Sequence, residues 1–208
     1  MKSFPSYSFV GIDEVGRGAL AGPVIACAFS WKRKNFKNKN IANELLFKLN
    51  DSKQLTKKSR SELYEILITL GYYSLGYASV KEIETLNILN ATFLAMKRAF
   101  DGLKELVKES YLLIDGNKFN PLINCKQLAL VDGDANSSVI AAASIVAKVY
   151  RDSLMHKLAK GENYKPFHWG SNVGYGTLVH RKAIKKYGLT PLHRKLFVRK
   201  ILQETNSF

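Results

Sequence analysis

Four acidic residues stand at or beside the ends of apolar runs. Asp13 and Glu14 follow "FVGI", Asp115 follows "YLLI", and Asp134 lies in "VDGDANSS" ahead of a small-residue helical run. A carboxylate beside a core is costly unless compensated, so each needs a partner, a helix-capping role or a metal ion. Taken singly, Asp115 reads as a turn residue before Gly116-Asn117. Asp134 reads as a helix N-cap, a place that favours negative charge and so is compatible with metal ligation. Asp13 and Glu14 are harder to place, because neighbours in a strand point to opposite faces. For both to reach one site the strand must end or twist at Glu14, which Gly16 and Gly18 permit. If strands ending near 12, 115 and 131 are neighbours, the carboxylates converge, and such a cluster stays ionised only beside cations. All-oxygen ligands without a thiolate or imidazole cluster point to Mg²⁺ or Mn²⁺. With a basic surface around it, the economical chemistry is two-metal phosphodiester hydrolysis, one ion activating water and the other stabilising the leaving oxygen. Asp132 and Asp152 are rivals and are both set aside: Asp132 is only two residues from Asp134, with Gly133 between, while Asp152 lies about 27 Å further along an unbroken helix.

The elements that must position these groups can be read from pattern. Phe9–Ile12 and Val24–Phe29 are apolar β-type runs separated by glycines and Pro23, which predicts two antiparallel strands. "DSKQLTKKSRSELYEILITLG" predicts a helix capped near Thr56 and stopped at Gly71. "YYSLGYASV" alternates as a strand does, and "ETLNILNATFLAMKRAFDGL" has helical spacing with Gly102 near its end. "SYLLIDG" predicts a buried strand ending at Asp115, with "CKQLALVDG" a further strand. "NSSVIAAASIVAKVYRDSLMHKLA" predicts a long helix whose small-residue face packs closely on a sheet. Thr177–Tyr187 reads as another helix, followed by a basic tail over Arg194–Leu202. The sum is a mixed α/β sheet with a C-terminal helical part.

Composition narrows the partner. Among 208 residues, 32 Lys and Arg face 17 Asp and Glu, a net charge of +15, which suits a polyanion such as nucleic acid. Cys27 and Cys125 form no CxxC or Cys/His cluster, arguing against structural zinc and for a reducing compartment. "MKSFPSYSFV" lacks the apolar stretch of a signal peptide, and the uncharged Ala19–Trp31 segment, broken by Gly22-Pro23, is too short to span a bilayer. A cytoplasmic protein is expected.

At this point the motifs resemble a known family. "GIDEVGRGALAGPV", "LNDSKQLT", "ETLNILNATFLAM", "LIDGN", "GDANSSVIAAASIVAKVYRD" and "GYGT…H" occur in order from residue 10 to about 197, as in bacterial ribonuclease HII. Each is weak alone; six in order are specific. The resemblance implies an RNase H-like mixed β-sheet flanked by helices, a single domain over 1–208 with a C-terminal helical part over about 153–208. It assigns metal binding and catalysis to Asp13, Glu14, Asp115 and Asp134. Gly16, Arg17 and Gly18 match the family's Gly-Arg-Gly motif, which contacts a ribonucleotide 2′-OH and its phosphate, largely through backbone groups; glycines let main chain approach a sugar, and the 2′-OH marks RNA. Tyr175 matches the tyrosine that stacks on the deoxyribose after the ribonucleotide, and Lys53 a phosphate contact. Asn87 and Asn90 are expected to bond internally. Departures are Gly176 where many members have Pro, Asn172-Val173 for His-Lys, and Leu196 for Ser.

The implied activity is hydrolysis of the RNA strand of RNA–DNA hybrids and incision 5′ to single ribonucleotides in duplex DNA, using two Mg²⁺ or Mn²⁺ ions and leaving 3′-OH and 5′-phosphate ends. A monomer is expected, with neither a membrane nor a protein partner. The terminal "QETNSF" lacks the paired aromatics of a sliding-clamp peptide, and the first motif begins at residue 11, leaving no room for the extra N-terminal domain of ribonuclease HIII. Two other readings keep the same residues: a related-fold DNA nuclease that also cuts ribose-free duplexes, and a non-catalytic nucleic-acid binder whose acids only cap.

Overall fold

The computed structural model describes residues 8–32, 49, 55–107 and 110–203. Five strands form one mixed sheet: β1 (Ser8–Val15), β2 (Val24–Trp31), β3 (Gly71–Ala78), β4 (Ser110–Asp115) and β5 (Gln127–Leu130). Their spatial order is β3-β2-β1-β4-β5. β1–β2 and β2–β3 are antiparallel, whereas β1–β4 and β4–β5 are parallel. The strands that carry Asp13, Glu14 and Asp115 are therefore direct neighbours, which meets part of the condition that the sequence sets for the carboxylates to converge.

The period-2 alternation of β1 sorts its side chains between two cores. Val10 and Ile12 pack with Ala91, Phe93 and Met96 of α2 (Val80–Asp101). On the opposite face, Cys27 and Phe29 of β2 pack with α1 (Lys57–Leu70) and with the alanine-rich start of α4 (Ser138–Leu158). Gly11 shows how close that face is: a Cβ there would stand 2.2 Å from the Val139 carbonyl carbon, so only glycine lets α4 lie this near the strand. Trp31 ties the start of α4 to β2 by donating from Nε1 to Ser138 Oγ at 3.1 Å.

The helix ends follow local chemistry. Thr56 caps α1, accepting from Ser59 N–H, and Gly71 closes it. α2 begins before its expected start at Glu84, because Ser79 and Glu82 form a reciprocal capping box that satisfies two otherwise orphaned donors. Inside α2, Asn87 adopts φ 66° and its Oδ1 accepts from Asn90 N–H, the internal bond expected of it.

Two expectations are corrected. β1 does not end at Glu14: pairing with β2 continues through Asp13↔Cys27, Glu14↔Ala26 and Val15↔Ile25. Asp134 is not the N-cap of the long helix. It lies in the first turn of a separate one-turn helix, α3 (Gly133–Asn136), and Ser137, with extended φ −140°, intervenes before α4. The backbone turns here because Asp132 sits left-handed at φ 51°, a conformation Asp tolerates.

After α4 the chain forms a 3₁₀ turn (Glu162–Phe167), α5 (Trp169–Asn172), α6 (Leu178–Tyr187) and α7 (Lys195–Gln203). Residue 153, the expected beginning of the helical part, falls within α4. These segments build a third apolar cluster around Phe167, Trp169 and Ile184 that also includes Leu20, Ala21 and Met155. The C-terminal part is thus anchored on the loop that follows the Asp13-Glu14 pair. Among the described residues, no helix is long and apolar enough to cross a membrane.

Candidate active site

Asp13 points to the α4 side of the sheet, sharing the face of Gly11. It is 7% exposed, accepts the Glu14 N–H at 2.7 Å and is bonded by Ser144 of α4. Burial, reinforced by the charge of Glu14 and then of Asp115, pushes its carboxyl up to about 8, although the Ser144 and Glu14 N–H bonds oppose the rise. Glu14 lies on the α2 side, in a cleft of about 170 Å³ that it shares with Arg17, Asp115, Asn117 and Lys118. Burial raises its carboxyl too, while Arg17, 3.1 Å away, holds it down. Asp115 closes β4, with Oδ1 accepting Gly133 N–H at 2.8 Å. That bond brings α3, and with it half-buried Asp134, against the end of β4. Asp13 and Glu14 near the end of β1 and Asp115 at the end of β4 thus stand at the same end of two adjacent interior strands, with Asp134 on the helix turn bonded to Asp115. Among the described residues, no three His, Cys, Asp or Glu side chains already surround one cation position; Glu14 is turned to Arg17, and Asp115 to the Gly133 amide.

The Gly-Arg-Gly loop follows immediately. Gly16 has φ 91°, and a Cβ there would stand 2.2 Å from Arg151 Nε, so both its conformation and its neighbour require glycine. Arg17 and Gly18 are exposed. Tyr175 stands on an adjoining turn, since Leu20 and Ala21 N–H both donate to Gly174 O, at 2.8 and 3.2 Å. Asn172, one of the departures from the family pattern, builds that turn: it is buried, donates to Phe167 O and accepts from Gly174 N–H. Lys53 lies outside the described residues. Asp152 pairs with Lys148 at 2.9 Å in mid-α4, apart from the other acids.

Sequence reasoning missed two arginines, each 0% exposed. Arg151 donates to the carbonyls of Pro23, Val173 and Ala21, at 3.2, 2.9 and 3.1 Å, and its guanidinium carbon lies 5.3 Å from the Tyr175 ring centroid. Arg194 donates twice to Gly22 O and once, at 2.8 Å, to Arg17 O. Burial draws both guanidinium groups down, Arg194 to about 9 with Arg151's charge adding to the effect. Their planar forks suit this task, each binding several carbonyls at once. The available signal was an arginine standing inside the apolar, alanine-rich helix of "VAKVYRD".

Behind the Tyr175 turn lies a buried pair of histidines. His180 Nδ1 meets the Tyr175 carbonyl at 2.9 Å and so carries the proton, which leaves Nε2 to accept from Trp169 Nε1 and His193 Nε2. His193 Nδ1 accepts from Thr190 N–H. Both rings are thereby neutral, and burial, with His180 adding, pulls His193 down to about 4. The unfolded chain takes up protons at a pKa of about 6.5 that the folded pair refuses. Stability from this pair is therefore present above pH 6.5 and lost as pH falls towards 4. His193→Gln, which can accept from Thr190 and donate to His180, should flatten that dependence; urea midpoints at pH 7 and pH 5 would show it.

The chain is similar to known proteins over nearly its whole length. The family model for Ribonuclease HII matches residues 10–201. The Ribonuclease HII of Ehrlichia ruminantium (strain Welgevonden) is 47% identical over 188 residues, 90% of this chain and 84% of that protein. That of Fusobacterium nucleatum is 48% identical over 198 residues, 93% and 87% of the two chains. Among solved structures, ribonuclease H2 from Pyrococcus horikoshii OT3 superposes with a TM-score of 0.73 at 26% identity, covering 97% of this chain and 100% of that one. RNase HII of Archaeoglobus fulgidus, solved in complex with PCNA, gives 0.70 at 22%, covering 90% and 93%. Bst-RNase HIII, solved in complex with Mn²⁺, gives 0.72 at 18%, covering 98% and 71%, a likeness of fold. The sheet order, the acids at the ends of its interior strands, the Gly-Arg-Gly loop beside them and the sequence match over nearly the whole chain lead to one conclusion: this protein belongs to the ribonuclease HII family.

Proposed function

We propose that this member of a family of metal-dependent ribonucleases H hydrolyses the RNA strand of RNA–DNA hybrids and also cuts 5′ to a single ribonucleotide in duplex DNA. The observation that carries this reading is the physical linkage of three parts: the acids of β1, the Gly-Arg-Gly loop directly after them, and the Tyr175 turn bonded to that loop through Gly174 O. A site that holds metal, tests for a 2′-OH and contacts the next sugar needs these parts at fixed spacing.

The residues fit a hard divalent ion. The donors are all carboxylate oxygens, and burial, with the charges of Glu14 and Asp115 adding, raises Asp13 to about 8, a rise that a cation beside it would offset. Asp13, Glu14, Asp115 and Asp134 would hold Mg²⁺ or Mn²⁺. Two such ions, when bound, would supply the charge that activates a water nucleophile and stabilises the leaving 3′-oxygen. The chain's own groups do the rest. Asp134 orients the attacking water, the backbone of Gly16, Arg17 and Gly18 receives the 2′-OH and its phosphate, and Tyr175 stacks on the following deoxyribose. Attack at phosphorus expels the 3′-oxygen of the preceding nucleotide, leaving a 3′-hydroxyl and a 5′-phosphate. The enzyme acts as a cytoplasmic monomer on this account.

The test varies one atom. A duplex with one ribonucleotide is cut, whereas replacing its 2′-OH by hydrogen or a methoxy group abolishes cutting; cutting without the 2′-OH would contradict the reading. Tyr175→Ala should lower cutting at a single ribonucleotide by about tenfold, or about 1.4 kcal/mol of transition-state binding, and affect long hybrids less. Steady-state rates on the two substrates would show the difference.

A further inference from the structure

A second basic cleft lies away from the acids, between the start of α1 and the distal half of α4. It encloses about 320 Å³ and is lined by Lys57, Arg60 and Ser61 from α1 and by Val149, Asp152, Ser153 and His156 from α4. The one acid here is matched, because Lys148 pairs with Asp152 at 2.9 Å. The cations are held in place: Lys57 Nζ lies 3.2 Å from His156 Nε2, whose other ring nitrogen bonds the Asp152 carbonyl. Arg60 is fixed by one bond to Leu55 O at 3.0 Å. Two positioned cations with serine hydroxyls beside them suit a compact anion rich in acceptor oxygens, and in a chain of net charge +15 that anion is a phosphate.

α4 gives the position of this cleft relative to the cut. Its Ser144 bonds Asp13, Lys148 Nζ lies 5.6 Å from the Tyr175 ring centroid, and His156 lines the cleft. Sites therefore occur along the helix in the order acids, Tyr175, cleft. The α4 lining of the cleft runs from Val149 to His156, and its centre lies about 13 Å beyond Ser144 at about 1.5 Å per residue. A nucleic-acid strand advances about 3.4 Å per nucleotide, so the cleft lies about four nucleotide steps from the reacting phosphate. We propose that the cleft seats a backbone phosphate of the substrate duplex about four nucleotides beyond the cut, on the 3′ side that Tyr175 contacts. The direction rests on the reading of Tyr175 given under the proposed function.

The test uses the full chain and Lys57→Gln/Arg60→Gln, with Lys57→Gln alone as the exposed single change that leaves the Arg60–Leu55 bond intact. Duplex binding is followed by fluorescence anisotropy in chelator over a range of salt, with 3′ flanks of two or ten base pairs. On the long flank, the slope of log K against log salt should become shallower by about 1, the loss of one phosphate contact. In the cleavage assay KM should rise about tenfold with kcat unchanged, the mark of lost uniform binding. On the short flank, variant and wild type should match. An unchanged slope on the long flank, or an equal loss on both flanks, overturns the proposal. So does competition by inorganic phosphate without flank dependence, which would make the cleft a site for a free anion. Failure of the wild type to cut would count against the activity, while the anisotropy series would still decide the cleft.

Discussion

Asp13→Asn should abolish cleavage and, in the same protein, raise the stability of the metal-free fold. The first effect follows from removing a ligand charge from the acid cluster, and a loss of about a thousandfold or more is expected. The second follows from linkage. The Asp13 carboxyl is pushed from 3.8 up to about 8 in the fold, so the folded state holds a proton that the unfolded chain releases. Stability from this group is present below pH 3.8 and declines as pH rises towards 8. One pKa unit is about 1.4 kcal/mol. Taking about 2 kcal/mol as what survives structural relaxation, the variant should melt about 5 °C above wild type at pH 8 in chelator. The gap should close near pH 4. Mn²⁺ or Mg²⁺ should raise the wild-type melting temperature by mass action and move the variant less. A variant no more stable than wild type at pH 8 would mean that the cluster is not under electrostatic strain.

The second large effect concerns Arg151, which touches no acid of the site. Its guanidinium holds three carbonyls, two in the loop after Gly-Arg-Gly and one, Val173 O, beside the Tyr175 turn. Arg151→Met keeps much of the apolar stem but leaves those buried acceptors unpaired, at about 1–3 kcal/mol each. A fall in melting temperature of about 10 °C is expected. Well below that temperature the folded variant should cut a single embedded ribonucleotide about a hundredfold more slowly, equivalent to about 2.7 kcal/mol. Long hybrids, which offer a ribose at every step, should suffer less. Arg151→Lys keeps the charge but not the fork, so it should recover little. If both substrates slowed equally, Arg151 would be structural without setting the spacing of Gly16 and Tyr175.

The fold was legible wherever a local rule and the tertiary context agreed. Thr56 and Gly71 bound α1 as read, since capping is decided within a few residues. The alternation in β1 runs on through Asp13 and Glu14, which face opposite sides of the sheet; of the two alternatives read from the sequence, that the strand ends or twists at Glu14, the first fails. β2 pairs with β1 as far as Val15, and such a non-local partner leaves no mark on the residues themselves. Asp134 illustrates the converse: a local capping signal was present, yet a single turn of helix intervenes, held by the Gly133–Asp115 bond across 18 residues of sequence. The acids were findable because ionisable groups stand out against apolar runs. Arg151, Arg194 and the His180–His193 pair were not, because their roles lie in bonds to carbonyls far away in the chain, as with Arg194 and Gly22. The family motifs supplied the order of the parts, and the structure supplies the clamp that joins them.

The most direct test of the central claim is the product pattern from an end-labelled DNA duplex carrying one ribonucleotide, incubated with Mn²⁺ or Mg²⁺ beside all-DNA and full RNA–DNA hybrid duplexes. The account predicts a single cut 5′ to the ribonucleotide, multiple cuts in the hybrid's RNA strand and none in the all-DNA control. Chelation and Asp13→Asn should each remove all cutting. Equal cutting of the all-DNA duplex, or binding of all three without cutting any, would contradict it.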